Sequence, residues 1–219
     1  MRNIAAVLTL TSLFAGTTAL HAQGRDRGLV EVAPSGLRHG IYFTASLGAG
    51  REECRFATTE CAVLDGNGDP LPDNGNKWRD PLTTPAFQLR LGGTVNQNLR
   101  VGGELFGWSG SNGPATERTV GLLINAQVYP SLRSGFYLKG GAGYAWNSFN
   151  YNDGSTTPSY NGFMVNGGAG YDIPLSRSAS IAPVADFYYA TYNNLSDGNE
   201  YERFLFLGVS FTFQSGRRW

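Results

Sequence analysis

The chain has 219 residues, of which 41% are hydrophobic, 13% aromatic and only 16% charged, with 30 glycines. Seventeen basic residues cancel seventeen acidic ones, so no broad positive field exists to hold nucleic acid by its phosphates. Beyond the N-terminus no apolar run reaches the eighteen or so residues that a membrane-spanning helix needs, so contact with a bilayer would have to be made by strands.

In chain order, residues 1–22 have the form of an export signal. Arg2 supplies the positive start, Ile4 to Ala15 the apolar core, and Leu20-His21-Ala22 the processing site. Residues 23–39 are a polar leader on the periplasmic side. From residue 40 onward, stretches of 11 to 14 residues alternate apolar with polar or glycine positions, the period-two signature of strands. The spans are 40–50, 83–95, 99–109, 119–129, 136–149, 161–173, 180–192 and 202–213. They exceed the usual ~5 to 6 residues of soluble strands and match the ~9 to 11 that a tilted strand needs to cross a bilayer. The connections between them run 32, 3, 9, 6, 11, 6 and 9 residues, a strict alternation of long and short. An up-and-down barrel with tight periplasmic turns and longer extracellular loops predicts that alternation.

Parity sharpens the expectation. Ile41, Phe43, Ala45, Leu47 and Ala49 fall on one face of the first span and Tyr42, Thr44, Ser46, Gly48 and Gly50 on the other. Phe87, Leu89, Leu91 and Val95 repeat the apolar face, as do Val120, Leu122, Ile124, Ala126 and Val128, and Leu205, Leu207, Val209, Phe211 and Phe213. Leu123, Phe204 and Phe206 interrupt the polar face. A membrane barrel is apolar outside and may be polar inside, so the reading is an all-β, eight-stranded antiparallel up-and-down transmembrane β-barrel over 40–213. A short tail, 214–219, follows. The pentapeptide Gly-Gly-Ala-Gly-Tyr occurs at 140–144 and 167–171, and parity turns the glycines at its second and fourth positions inward, where they make room for bulkier neighbours.

The same parity sends Arg90, Arg100, Lys139, Glu104, Asp172 and Asp186 to the interior. A basic charge on the lipid face near the midplane would cost about 2 to 4 kcal/mol, and an eight-stranded barrel is just wide enough for its side chains to fill. The expectation is a plug of paired charges, with Arg90, Arg100 and Glu104 as one cluster and Lys139 with Asp172 or Asp186 as the second. The alternative is a narrow passive pore for small solutes.

Cys54 and Cys61, the only cysteines, fall in an exported segment where a disulfide persists, and they are expected to clamp the long loop 51–82. No CxxC and no neighbouring histidine completes a zinc site there. Asp65, Asn67 and Asp69 occupy the first three ligand positions of a calcium loop, but Pro70 and Asn76 stand where glycine and glutamate belong, so solvent-exposed turns are the simpler reading. No cofactor is expected. His39 lies in the leader, out of reach of any outer-leaflet nucleophile, and Gly107-Trp108-Ser109-Gly110-Ser111 lacks the last glycine of a nucleophile elbow. The expectation is a protein without catalytic activity.

The segment Gly208-Val209-Ser210-Phe211-Thr212-Phe213 resembles the terminal-strand signal of the small outer-membrane barrels of the OmpA and OmpX kind. That resemblance covers roughly residues 40–213. It implies the outer membrane of a Gram-negative bacterium, with Gly208, Phe211 and Phe213 read by the barrel-assembly machinery. It also implies contact with outer-membrane lipid and lipopolysaccharide, and mobile loops whose roles range over envelope stability, adhesion and resistance to host defence. Loop 51–82 is where an extracellular or host-surface ligand would be met.

Overall fold

The structure is a computed structural model, and it describes residues 38, 40–56, 78, 81–112, 115–151, 160–194 and 198–215. Its wall is built of β1 (Ile41–Phe56), β2 (Leu82–Asn96), β3 (Leu99–Asn112), β4 (Ala115–Val128), β5 (Phe136–Tyr151), β6 (Tyr160–Tyr171), a two-residue β7 (Ile173–Pro174), β8 (Ala179–Asn194) and β9 (Gly198–Gln214). Each long strand pairs antiparallel with the next. β1 also pairs with β9, from Tyr42↔Gln214 to Phe56↔Glu200, which closes the eight long strands into a ring. Closure leaves neither β1 nor β9 as an open sheet edge in hydrocarbon.

The pleat sorts the side chains as parity demands. Ile124 and Leu47 on the outer face are 74% exposed, whereas Tyr42, Gln88, Phe106 and Glu104 on the inner face are completely buried. An apolar exterior around a buried polar interior inverts the soluble arrangement, as a wall facing lipid requires. Leu123, Phe204 and Phe206, which interrupt the polar face in the sequence, are fully buried inside. The lumen contains an apolar layer as well as a polar one.

The strands extend further than the sequence pattern indicates. β1 continues to Phe56, β3 to Asn112 and β5 to Tyr151, while β4 begins at Ala115 and β9 at Gly198. β3 and β4 are separated by residues 113–114 only, and β8 and β9 by 195–197. The expected alternation of long and short connections therefore does not hold. The physical reason is that apolar alternation marks the part of a strand that meets hydrocarbon. Past that band, pairs such as Ser109↔Arg118 and Gly110↔Glu117 continue the ladder with no need for an apolar outer face.

Two local features shape the end of the barrel where β1 begins and β9 ends. β6 stops at Tyr171 and resumes as β7 after Asp172, so the expected single strand 161–173 is broken. Pairing of β6 with β8 ends at Gly170↔Val184 and restarts at Ile173↔Ile181. Pro183, which has no N–H to donate, lies on β8 within that gap. At the other feature, Gly40 adopts φ +68°, a left-handed conformation that glycine takes without steric cost. Its carbonyl accepts the Thr94 N–H at 2.9 Å, and the chain turns there from Arg38 into β1.

Candidate functional site: the filled lumen

Four layers succeed one another along the axis. At the mouth where β1 begins and β9 ends, Arg38, 3% exposed, donates to the Ser134 carbonyl at 2.7 Å and the Gln97 carbonyl at 3.4 Å. Its guanidinium lies 3.5 Å from the Tyr129 ring centroid, within the range of a cation–π contact. Burial lowers the Arg38 pKa, while the facing Tyr129 hydroxyl and Asp172 act in the opposite sense. Beneath it Arg100 donates to the Tyr129 hydroxyl at 2.8 Å and to the Gln214 side chain at 2.6 Å, and lies 3.5 Å from Asp172. Tyr129 in turn donates to Asp172 at 2.8 Å.

The second layer centres on Glu104, which accepts from Lys139 at 2.8 Å, Asn125 at 2.9 Å, Asn166 at 2.8 Å and Tyr188 at 2.5 Å. Arg90 is 3.9 Å away. Lys139 also donates to Asp186 at 2.9 Å, and Gln88 does so at 2.7 Å. Hydroxyl pairs Thr44 with Thr212, at 2.8 Å, and Ser46 with Ser210, at 2.7 Å, bridge β1 to β9. A buried carboxylate is tolerable only when cations and donors surround it, and Glu104 has both.

The third layer is apolar. Phe106 stacks on Tyr188 with centroids 4.1 Å apart and meets Phe204 edge-on at 5.4 Å, while Trp108 packs 5.5 Å from Phe204. Phe206, Leu123 and Met164 complete the same buried cluster. The fourth layer is again polar. Glu202 accepts from Thr119 at 3.1 Å, Tyr192 at 2.9 Å and Asn147, and Asn147 also reaches Glu117 at 3.0 Å.

Several expectations change. Arg100 and Glu104, four residues apart on β3, are not clustered. Four steps along a strand span about 13 Å, and Arg100 belongs to the mouth with Asp172. Asp172 is a residue of the β6–β7 break rather than of a strand. Lys139 bridges Asp186 and Glu104 and makes no pair with Asp172. Gln214, expected to open a tail, is the last residue of β9 and accepts from Arg100. Cys54, expected in a loop, is a fully buried residue of β1. Its expected partner Cys61, the calcium-like Asp65, Asn67 and Asp69, the leader histidine His39 and the expected export signal lie outside the described residues, as does most of loop 51–82.

Glu52, Glu117 and Glu202 were not among the expected interior charges, yet all three are buried. Glu52 and Glu117 sit on strand extensions that the sequence pattern assigns to loops. For Glu202 the signal was available, because stepping back by twos from Ser210 and Gly208 through Phe206 and Phe204 arrives at it. On β9, Phe211 and Phe213 project outward with ring centroids 5.3 Å apart. Gly208 faces Gly48, where a Cβ on Gly48 would lie 2.6 Å from the Gly208 Cα.

No curated protein matches the chain. Among solved structures it is similar to the attachment invasion locus protein Ail of Yersinia pestis at 14% identity, covering 80% of this chain and 99% of that one with a TM-score of 0.50. It is also similar to Neisserial surface protein A, at 14% identity, 80% and 97% coverage and a TM-score of 0.51. At such identities the likeness is one of fold. The model of the outer membrane protein beta-barrel domain matches residues 12–213. The chain therefore belongs to the outer membrane protein β-barrel domain family and is a protein of the Gram-negative outer membrane.

Proposed function

We propose that this protein is a non-catalytic barrel that serves envelope structure or surface interaction through its extracellular connections, with a lumen closed to solutes. The observation that carries this reading is the filling: charge pairs, then a layer of aromatic and aliphatic side chains, then a second polar layer. The inward glycines would favour a pore only if they left space, and they do not. A Cβ on Gly92 would lie 2.8 Å from the Tyr42 hydroxyl, one on Gly141 would lie 2.8 Å from the Asn166 side-chain oxygen, and one on Gly168 or Gly170 would collide with Asp186 or Tyr137. Each central carboxylate accepts from more than one donor, as packing requires. On this reading the partners are outer-membrane lipid and lipopolysaccharide, the barrel-assembly machinery acting on Gly208, Phe211 and Phe213, and an extracellular or host-surface ligand met by loop 51–82. Purified protein in planar bilayers is expected to give no steady single-channel current. A resolvable, stable conductance would overturn the closed lumen in favour of a narrow passive pore.

A further inference from the structure

Charged residues on the outer wall follow a rule of their own. Among the described strand residues, those that face outward are Arg51, Glu53 and Arg55 on β1, Arg118 on β4 and Arg203 on β9. All five lie toward the extracellular ends of their strands. Three of the four arginines stand together, because β1 and β9 are neighbours: Glu53 is opposite Arg203, Arg51 opposite Leu205 and Arg55 opposite Tyr201.

Their height can be estimated. Arg203 is ten residues from Phe213 on β9, and at ~3.3 Å per residue and ~40° tilt this is about 25 Å, the height of the apolar band of such barrels. Arg203 therefore stands where hydrocarbon gives way to headgroups. Beside it a groove of about 300 Å³ is lined by Arg51, Glu53, Phe187, Arg203 and Leu205. Its floor is apolar and its upper edge cationic. The Glu53 carboxylate takes Arg51 at 3.3 Å and also Arg203, so one acid is shared between two guanidiniums. Arg203 lies 4.1 Å from the Trp78 ring centroid, and Arg55 lies 5.6 Å from it and 5.1 Å from Tyr201. Among the described residues of this patch, three arginines stand against one glutamate, an excess of two positive charges held in orientation by aromatic rings.

We propose that this groove binds the phosphorylated headgroup of an acylated lipid of the outer leaflet. Arg51 and Arg203 would hold the phosphate oxygens, and Leu205 and Phe187 would lie against the first part of an acyl chain. The planar guanidinium fork suits phosphate geometry, and the wall position offers a cationic edge directly above an apolar floor, which a small soluble anion would not use. The inference rests on the membrane placement of the barrel and is independent of whether the lumen conducts.

The test uses full-length protein folded in detergent, with lipid retention read by native mass spectrometry. The probes are bisphosphorylated lipid A, the same lipid without phosphates, and inorganic phosphate. A basic residue near an anionic lipid surface is worth about 1 kcal/mol, or about fivefold in affinity. Arg51→Gln is therefore expected to weaken retention of the phosphorylated lipid about fivefold, and Arg51→Gln with Arg203→Gln about twenty-five-fold. Arg118→Gln, which removes the same charge from β4, should change it less than twofold. The proposal is overturned if Arg118→Gln weakens retention as much as Arg51→Gln, if the dephosphorylated lipid is retained equally, or if millimolar inorganic phosphate displaces the lipid. Should the double variant fail to show the gel mobility of a folded barrel, Arg51→Gln alone decides, since its side chain is 52% exposed.

Discussion

The lumen around Glu104 and the outer wall around Ile124 are the two faces of the same strands, and they meet the low-dielectric environment in opposite ways. Inside, five polar side chains, among them the cations Lys139 and Arg90, converge on one carboxylate. Outside, none of the described residues at this level is charged, and Ile124 is 74% exposed to whatever surrounds the protein. A charge away from water needs either a partner or a place on a face where partners can be gathered. In a closed cylinder only the concave face brings several strands to one point, so it holds the charges.

Removing the centre of the inner arrangement should have the larger effect. Glu104→Leu leaves Lys139 and Arg90 buried without their shared anion, and is expected to lower stability by about 3 to 5 kcal/mol, read as an earlier urea midpoint for loss of the fast-migrating folded form on SDS gels. A smaller effect is expected from placing a charge on the opposite face. Ile124→Arg should cost about 2 to 4 kcal/mol in lipid, and little of that penalty should remain when the wall is wetted by short-chain detergent. An equal cost in both solvents would mean that Ile124 does not face hydrocarbon. The smallest effect is at the mouth. Arg38→Ala, which loses a desolvated cation–π contact, should cost about 2 kcal/mol and speed amide exchange around Tyr129 and Ser134 while leaving the Glu104 layer protected. Uniform acceleration through the barrel would show that Arg38 supports the whole cylinder instead of closing one end.

Much of this comparison was legible in the sequence because the pleat has period two. Parity alone assigned Arg90, Glu104, Lys139 and Asp186 to the inside and Ile124, Leu122 and Phe213 to the outside. What parity cannot supply is height. Arg100 and Glu104 share a face but occupy different layers, so the expected pairing went to Asp172 instead. The strand extensions carrying Glu52 and Glu117 were hidden for a related reason, since above the hydrocarbon band the outer face is free to be polar and the alternation disappears. Arg38 left no periodic trace at all. Its role depends on the left-handed turn at Gly40 and on carbonyls contributed by two distant turns, which only the folded chain brings together.

The pairing of β1 with β9 has a consequence for how the molecule is made. Tyr42 and Gln214 are register partners, so the first and last wall segments to leave the ribosome must find each other before the hoop is complete. Contacts so remote in sequence form slowly. Until they do, both seams carry unsatisfied amides and carbonyls that would be prohibitive in oil and adhesive in water. A polypeptide with this seam stays exposed to both penalties until its two ends meet, whatever it does afterwards.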